Sequence, residues 1–195
     1  AIGLAIALLT MAYLIFGATE GKRYFQVKET TIESKDVPQG FDGYRIVQLS
    51  DMHVGSWNGD TRAMEKAVSI INDLQPDLIV FTGDLVNNLA SELDNFIPVF
   101  SKLKAKDGVY SVLGNHDYST YVHWENPEDQ KEELVRLKQK QAEMGWTMLN
   151  NRHVKLYNQN DSIALIGVEN SGRHPFPDYA KLSEAMQGTE GMFQI

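Results

Sequence analysis

Three short apolar runs each break off at a cluster of carboxylate, amide and imidazole side chains, and this recurrence constrains the fold more than any other feature. Residues 44–50 (YRIVQLS) run into Asp51, Met52 and His53. Residues 78–82 (LIVFT) run into Gly83 and Asp84, and residues 109–113 (VYSVL) into Gly114, Asn115, His116 and Asp117. Between them, residues 61–74 set Met64, Ala67, Val68, Ile71 and Leu74 at helical spacing, and residues 93–103 do the same with Phe96, Val99, Phe100 and Leu103. Strand and helix alternating at intervals of roughly thirty residues signal right-handed crossovers and a parallel sheet. Short runs rich in Val, Ile and Leu suit strands buried on both faces. In such a sheet the carboxyl ends of all strands share one edge, where open α/β sheets bind ligands. The three clusters are therefore expected to meet in space.

The rest of the chain reads less sharply. Residues 23–33 alternate well enough to predict a strand, and Pro38, Gly40 and Gly43 mark turns after it. A charged helix is expected over 127–143, with Leu134 and Leu137 as its clearest apolar contacts. A hairpin is expected from 154–157 and 163–168 around Asn158 and Asp161. A helix near 179–186 and a strand starting at Met192 follow.

Residue types at the three strand ends fit a purpose. Carboxylates, imidazole and an amide carbonyl without sulfur are ligands for hard to borderline divalent ions such as Mg, Mn, Fe or Zn. Asp51 and His53, one residue apart, can chelate one ion where the chain is extended. Gly83 and Gly114 allow a close backbone approach. Each motif alone is ordinary: Asp-x-His occurs in loops, and Gly-Asp and Gly-Asn start common turns. Their conjunction after three strands, in order, is not ordinary. The chain has no cysteine, which excludes disulfides, thiolate metal sites and cysteine nucleophiles. A formal charge of −8 argues against non-specific nucleic-acid binding, which needs basic patches.

The segments SDMHVGS (residues 50–56), GDLVNN (83–88) and GNHD (114–117) resemble the first three signatures of the calcineurin-like metallophosphoesterases, most of all the membrane-associated members with an apolar N-terminus. The resemblance covers residues 44 to 195. It implies an α/β fold, an αββα sandwich with two divalent ions at its edge: Mn, Fe or Zn first, with Mg also compatible. Asp51 and His53 would hold the first ion, Asp84 would bridge both, and Asn115 would bind the second. A hydroxide between the ions would attack phosphorus in line, while the ions neutralise charge on the phosphoryl oxygens. His116 would stabilise the transition state or protonate the leaving oxygen, with Asp117 as its partner carboxylate. The family pattern also calls for three later histidines, one after a further strand and two in a Gly-His-x-His motif. His123, His153 and His174 do not match those contexts and read as surface or loop residues. The chain starts at Ala1 and stops at Ile195 in an apolar stretch, so it reads as a fragment truncated before those motifs. With four of the seven ligands that the resemblance implies, such a fragment is expected to bind metal poorly and turn over little. Tyr118, Tyr121 and Trp124 are candidates for one wall of a substrate pocket, as is Trp57 beside the first motif. Arg152 and Arg173 are candidate phosphate contacts.

Residues 1–16 (AIGLAIALLTMAYLIF) carry no charge, and the first charged residue is Glu20. That is close to the length of helix needed to cross a bilayer. A buried core helix usually shows a polar face, and this run shows none. A signal peptide would be shorter and would end in a small-residue cleavage site. The expected organisation is a transmembrane helix over 1–19, a linker and leading strand over 20–43, and the phosphoesterase domain over 44–195. Lys22, Arg23 and Lys28 lean toward a cytoplasmic domain, though the other flank needed for that comparison is absent. A membrane location suggests a lipid-linked or envelope phosphoester as substrate. The competing expectation is a membrane-tethered binding or scaffold module that keeps the fold without the chemistry. Retention of Asp51, His53, Asp84, Asn115 and His116 speaks against it.

Overall fold

A computed structural model describes residues 2–173 and 176–195, so the expectation for His174 lies outside the described residues. The chain divides into two compact units, Ala1–Glu33 and Ser34–Ile195. In the first, helix α1 (Ile2–Thr19) has every residue exposed. Continued by a 3₁₀ turn at Gly21–Arg23, it forms a 22-residue span whose most apolar 18-residue stretch has mean hydropathy 2.1, long and apolar enough to cross a membrane. The strand expected over 23–33 is not formed. Alternation alone does not make a strand without a neighbour to share its hydrogen bonds, and among the described residues none pairs with this segment.

The second unit holds two sheets. The first has the order β1-β2-β3-β4, all parallel: β1 (Ile46–Leu49), β2 (Leu78–Phe81), β3 (Val109–Ser111) and β4 (Thr147–Met148). Ile46 pairs with Leu78, and Ile79 with Val109, so the three expected strands lie side by side with their carboxyl ends together. The second sheet joins β5 (Arg152–Asn158) and β6 (Asp161–Gly167) as the expected hairpin, with β7 (Phe193–Gln194) parallel to β6. Phe41, Leu78, Leu149, Leu156, Ile163 and Leu165 form a core drawn from both sheets.

On the opposite side of the first sheet lie α2 (Arg62–Asp73), α3 (Ile97–Phe100) and α4 (Pro127–Glu143). Helix α2 buries Ala63, Met64, Ala67, Val68 and Ile71, one stripe of the 3.6-residue period. The longer helix expected over 93–103 is broken into a 3₁₀ turn at Ala90–Leu93 and the single turn of α3. Pro98 explains this, because its ring is tolerated in a first turn but clashes with the carbonyl four residues back in a helix interior. Helix α4 begins at Asn126, whose side chain accepts the N–H of Glu128 at 3.1 Å, with Pro127 in its first turn. Trp146 packs its ring against Phe81 and Phe100, joining this layer to the sheet. On the far side, α5 (Leu182–Ala185) is tied to β5 where His153 Nδ1 meets the Ala185 carbonyl at 2.8 Å. His153, read from the sequence as a surface or loop residue, is half-buried, lies on a strand and is bonded. The layers follow the order helix, sheet, sheet, helix.

Candidate metal centre

The loops after β1 and β2 continue the pairing of their strands. Asp51 N–H donates to the Gly83 carbonyl at 3.0 Å, His53 N–H to that of Asp84 at 3.2 Å, and Val54 N–H to that of Leu85 at 3.0 Å. Asp51 (φ 55°), His53 (φ 41°) and Asp84 (φ 60°) take the left-handed conformation, as does Asn58 (φ 49°) further along the segment after β1. Such backbone costs roughly 1–3 kcal/mol per residue and collects where the surrounding structure enforces it, often at functional sites. The first three are residues singled out from the sequence as ligands.

The result is a convergence of side chains. His53 Nε2 lies 3.9 Å from an Asp51 carboxylate oxygen and 3.8 Å from one of Asp84. Ligand atoms of His53, Asp84 and His116 all lie within 4.8 Å of one another. The Asp84 side chain is 13% exposed and the Asp51 side chain 65%, so the first closes the site from below and the second faces solvent. Carboxylates and imidazoles without sulfur form a donor set suited to a hard or borderline divalent ion; His53, Asp84 and His116 are spaced closely enough to share one, and Asp51 approaches them through His53.

The third loop is locked to the second by Asp117. Fully buried, its carboxylate accepts the N–H groups of Asp84 (2.9 Å), Gly114 (2.9 Å), Leu85 (2.9 Å) and Val86 (3.3 Å). Burial pushes the Asp117 carboxyl up to about 6, with those backbone donors pulling the other way. Both of its oxygens are thus turned to the backbone, and the expected pairing with His116 is not formed. His116 Nδ1 instead meets the Asn87 carbonyl at 2.7 Å. A carbonyl only accepts, so Nδ1 is the donor in this bond and Nε2 is left for other partners. The His116 backbone N–H donates to Asp84 Oδ1 at 2.9 Å. The His116 ring lies edge-on to His53, with centroids 4.7 Å apart.

Asn115 donates from Nδ2 to the Tyr121 hydroxyl at 2.7 Å, which leaves Oδ1 as its free acceptor. Tyr121, expected as part of a pocket wall, also stands 4.6 Å from the His116 ring. Tyr118 turns away: it is buried, and its hydroxyl donates to Glu169 at 3.1 Å. Burial first, and the Glu169 charge second, raise its phenol above the ordinary range. Trp57 donates its indole N–H to the Met52 carbonyl at 3.2 Å, bracing the first loop. Arg152 and Arg173 are exposed.

Close approach of the second and third loops depends on two glycines. A Cβ at Gly83 (φ 102°) would stand 2.6 Å from Gly114 Cα and against Gly114 N. A Cβ at Gly114 would strike the Asp84 carboxylate. The contacts missed from sequence, Asn87 with His116 and Asn115 with Tyr121, had one faint signal: Asn87 lies within the GDLVNN segment and Tyr121 four residues beyond GNHD.

These features define a phosphoesterase fold with a candidate metal edge. The calcineurin-like phosphoesterase family model matches residues 44–186, and the chain belongs to that family. It is 29% identical over 167 residues to a "transmembrane protein with metallophosphoesterase domain" of Danio rerio, covering 83% of this chain and 35% of that protein. It is 39% identical over 98 residues to the uncharacterized metallophosphoesterase YkuE of Bacillus subtilis, covering 49% of this chain and 34% of that one. It is 41% identical over 81 residues to the UDP-2,3-diacylglucosamine pyrophosphatase LpxG of Chlamydia muridarum, covering 41% of this chain and 24% of that enzyme. The chain spans about a third of the length of the first two relatives.

Proposed function

We propose that the protein is a membrane-anchored metallophosphoesterase that hydrolyses a phosphoester with the help of two divalent ions. The observation that carries this reading is the approach of the Asp51 and Asp84 carboxylates to His53 Nε2, with all three residues on left-handed backbone and His116 beside them. Strain repeated at three candidate ligands has a simple purpose if the loops exist to present them. Asp51 and His53 would hold one ion, Asp84 would be shared, and Asn115 would serve the second through Oδ1. Divalent ions bound there supply Lewis-acid neutralisation of the phosphoryl charge and an acidified water.

The chain's own groups do the rest. The Asp117 carboxylate holds the second and third loops at fixed distance, so Asp84 and His116 keep their relation. His116, with its Nδ1 proton held by the Asn87 carbonyl, offers Nε2 toward the gathered ligands or a phosphoryl oxygen. In its protonated form it would give a proton to the departing oxygen. The apolar helix and the relative named as a transmembrane protein support anchoring in a membrane. The relative named as a UDP-2,3-diacylglucosamine pyrophosphatase supports a lipid-linked phosphoester as the substrate class.

The test is hydrolysis of p-nitrophenyl phosphate and of its methyl ester by the whole protein in detergent with Mn²⁺, beside Asp84→Ala. The expected result is metal-dependent turnover of at least one ester that falls in the variant by at least the ~10–100-fold that losing a ligand's supporting partner costs. Equal rates in both proteins would remove Asp84 from its role.

A further inference from the structure

A cavity of ≈ 400 Å³ lies between the segment after β2, the segment after His116 and helix α4. Leu89, Ala90, Val122 and Trp124 line it, together with Glu133, Arg136 and Lys140. The ionisable and indole groups among these already have partners. Glu133, itself buried, accepts the Ala90 N–H at 2.6 Å and an Arg136 N–H at 3.0 Å. Trp124 donates its indole N–H to the Ser119 carbonyl at 2.8 Å, and Lys140 pairs with Asp94. A guest there therefore meets mainly apolar side chains, among them a Trp124 ring held by its own hydrogen bond. It is an open, mainly apolar hollow whose volume falls within the range of small-molecule sites.

Two walls start beside the candidate metal centre. The Asn87 carbonyl touches His116, and Leu89 follows two residues later. An extended chain advances at most ~3.6 Å per residue, so Leu89 stands within about 7 Å of Asn87, Cα to Cα. On the other wall the Tyr121 ring packs on His116, and Val122 is the next residue. A phosphoester held at Asp84 and His116 would have this space within reach of its substituent.

We propose that the cavity receives the alkyl or acyl chain of the substrate, making Leu89, Val122 and Trp124 specificity-determining residues. This rests on the phosphohydrolase reading and narrows it to phosphoesters that carry a long apolar substituent. A nucleobase or sugar is the poorer occupant, because Glu133, Trp124 and Lys140 already have partners, the Ser91 hydroxyl is a single small polar group in the wall, and a polar guest would lose its hydrogen bonds to water. Each methylene buried in such a site is worth about fourfold in affinity.

Two measurements on the whole protein in lipid nanodiscs separate this proposal from the reading beneath it. The first compares dodecyl and methyl p-nitrophenyl phosphate, which share the scissile bond and leaving group. The wild type is expected to favour the dodecyl ester by about 30-fold or more in kcat/KM, with the ratio falling about tenfold in Val122→Asp, which sets a charge in the apolar wall. Equal kcat/KM values for the two esters in the wild type, or an unchanged ratio in the variant, would overturn the proposal. The second needs no turnover: a dodecyl phosphate with a terminal diazirine is photolysed on the protein and the labelled peptides are mapped. Label on residues 89–91 or 122–124 that excess dodecyl phosphate removes and methyl phosphate leaves supports the proposal; label absent from both segments defeats it. Hydrolysis of neither ester would count against the phosphohydrolase reading, while the label would still decide the cavity.

Discussion

Gly83→Ala is expected to be far more damaging than an ordinary glycine replacement, and the structure gives the size of the difference. At φ 102° an alanine is strained whatever the space around it, which costs roughly 1–3 kcal/mol. Its Cβ would also press on backbone, Gly114 Cα at 2.6 Å and the Leu113 carbonyl carbon at 3.0 Å. Backbone cannot swing aside as a side chain can, so forcing an atom into this contact adds about 1–3 kcal/mol. The sum is ~2–6 kcal/mol, against a total stability on the order of 5–15 kcal/mol for a domain. Gly145→Ala is the internal control. Gly145 also has a positive φ, 80°, but a Cβ there meets nothing within 4 Å, so only the conformational cost of ~1–2 kcal/mol applies. Urea unfolding in detergent, followed by tryptophan fluorescence, reads the difference. With a slope of ~2 kcal/mol/M, the midpoint should fall by ~1–3 M for Gly83→Ala and by ~0.5–1 M for Gly145→Ala. Equal midpoints for the two variants would refute the view that contact between the second and third loops, and not local backbone alone, sets the requirement for glycine.

Two further outcomes follow from the site and the fold. Tyr121→Phe removes the acceptor of the Asn115 amide and is expected to weaken Mn²⁺ binding by about tenfold without moving the unfolding midpoint; calorimetric titration would show it. Tyr44 hydrogen-bonds to Asp107, and burial first, then that bond and the Asp107 charge, raise its phenol far above the ordinary value. The sign follows from linkage: folding is unaffected below the unfolded-state pKa of ~10, and stability is lost as pH rises above it, because only the unfolded chain ionises readily. Tyr44→Phe should therefore lose less stability than the wild type between pH 9 and 11, measured by urea midpoints.

Much of this was legible in the chain before any fold was seen. Strand ends at 51, 84 and 115 were readable because short Val/Ile/Leu runs and helical spacing leave few alternatives to a parallel sheet, and such a sheet brings its strand ends together. Helix α2 and the β5–β6 hairpin were readable from period and turn residues alone. The break at Pro98 lay in the sequence but yielded to the apolar spacing around it. Strand β4 is two residues long and carries no pattern. The role of Asp117 was hidden for a different reason. A carboxylate that collects four N–H groups from two loops is defined by backbone geometry, and no local spacing encodes it. The same holds for Glu133 and Gln141, which are buried on the α4 face that reads as charged and solvated. Gln141 accepts the Ser111 hydroxyl at 2.6 Å across to β3, a contact that only the packed layers create.

Pulsed electron paramagnetic resonance of Mn²⁺ on the whole protein addresses the metal centre most directly. A bound ion held by His53 and Asp84 should show nitrogen modulation from imidazole. That signal should weaken in His53→Ala, with the affinity dropping in Asp84→Ala. An ion that binds with the same spectrum and the same affinity in both variants would contradict the centre described above.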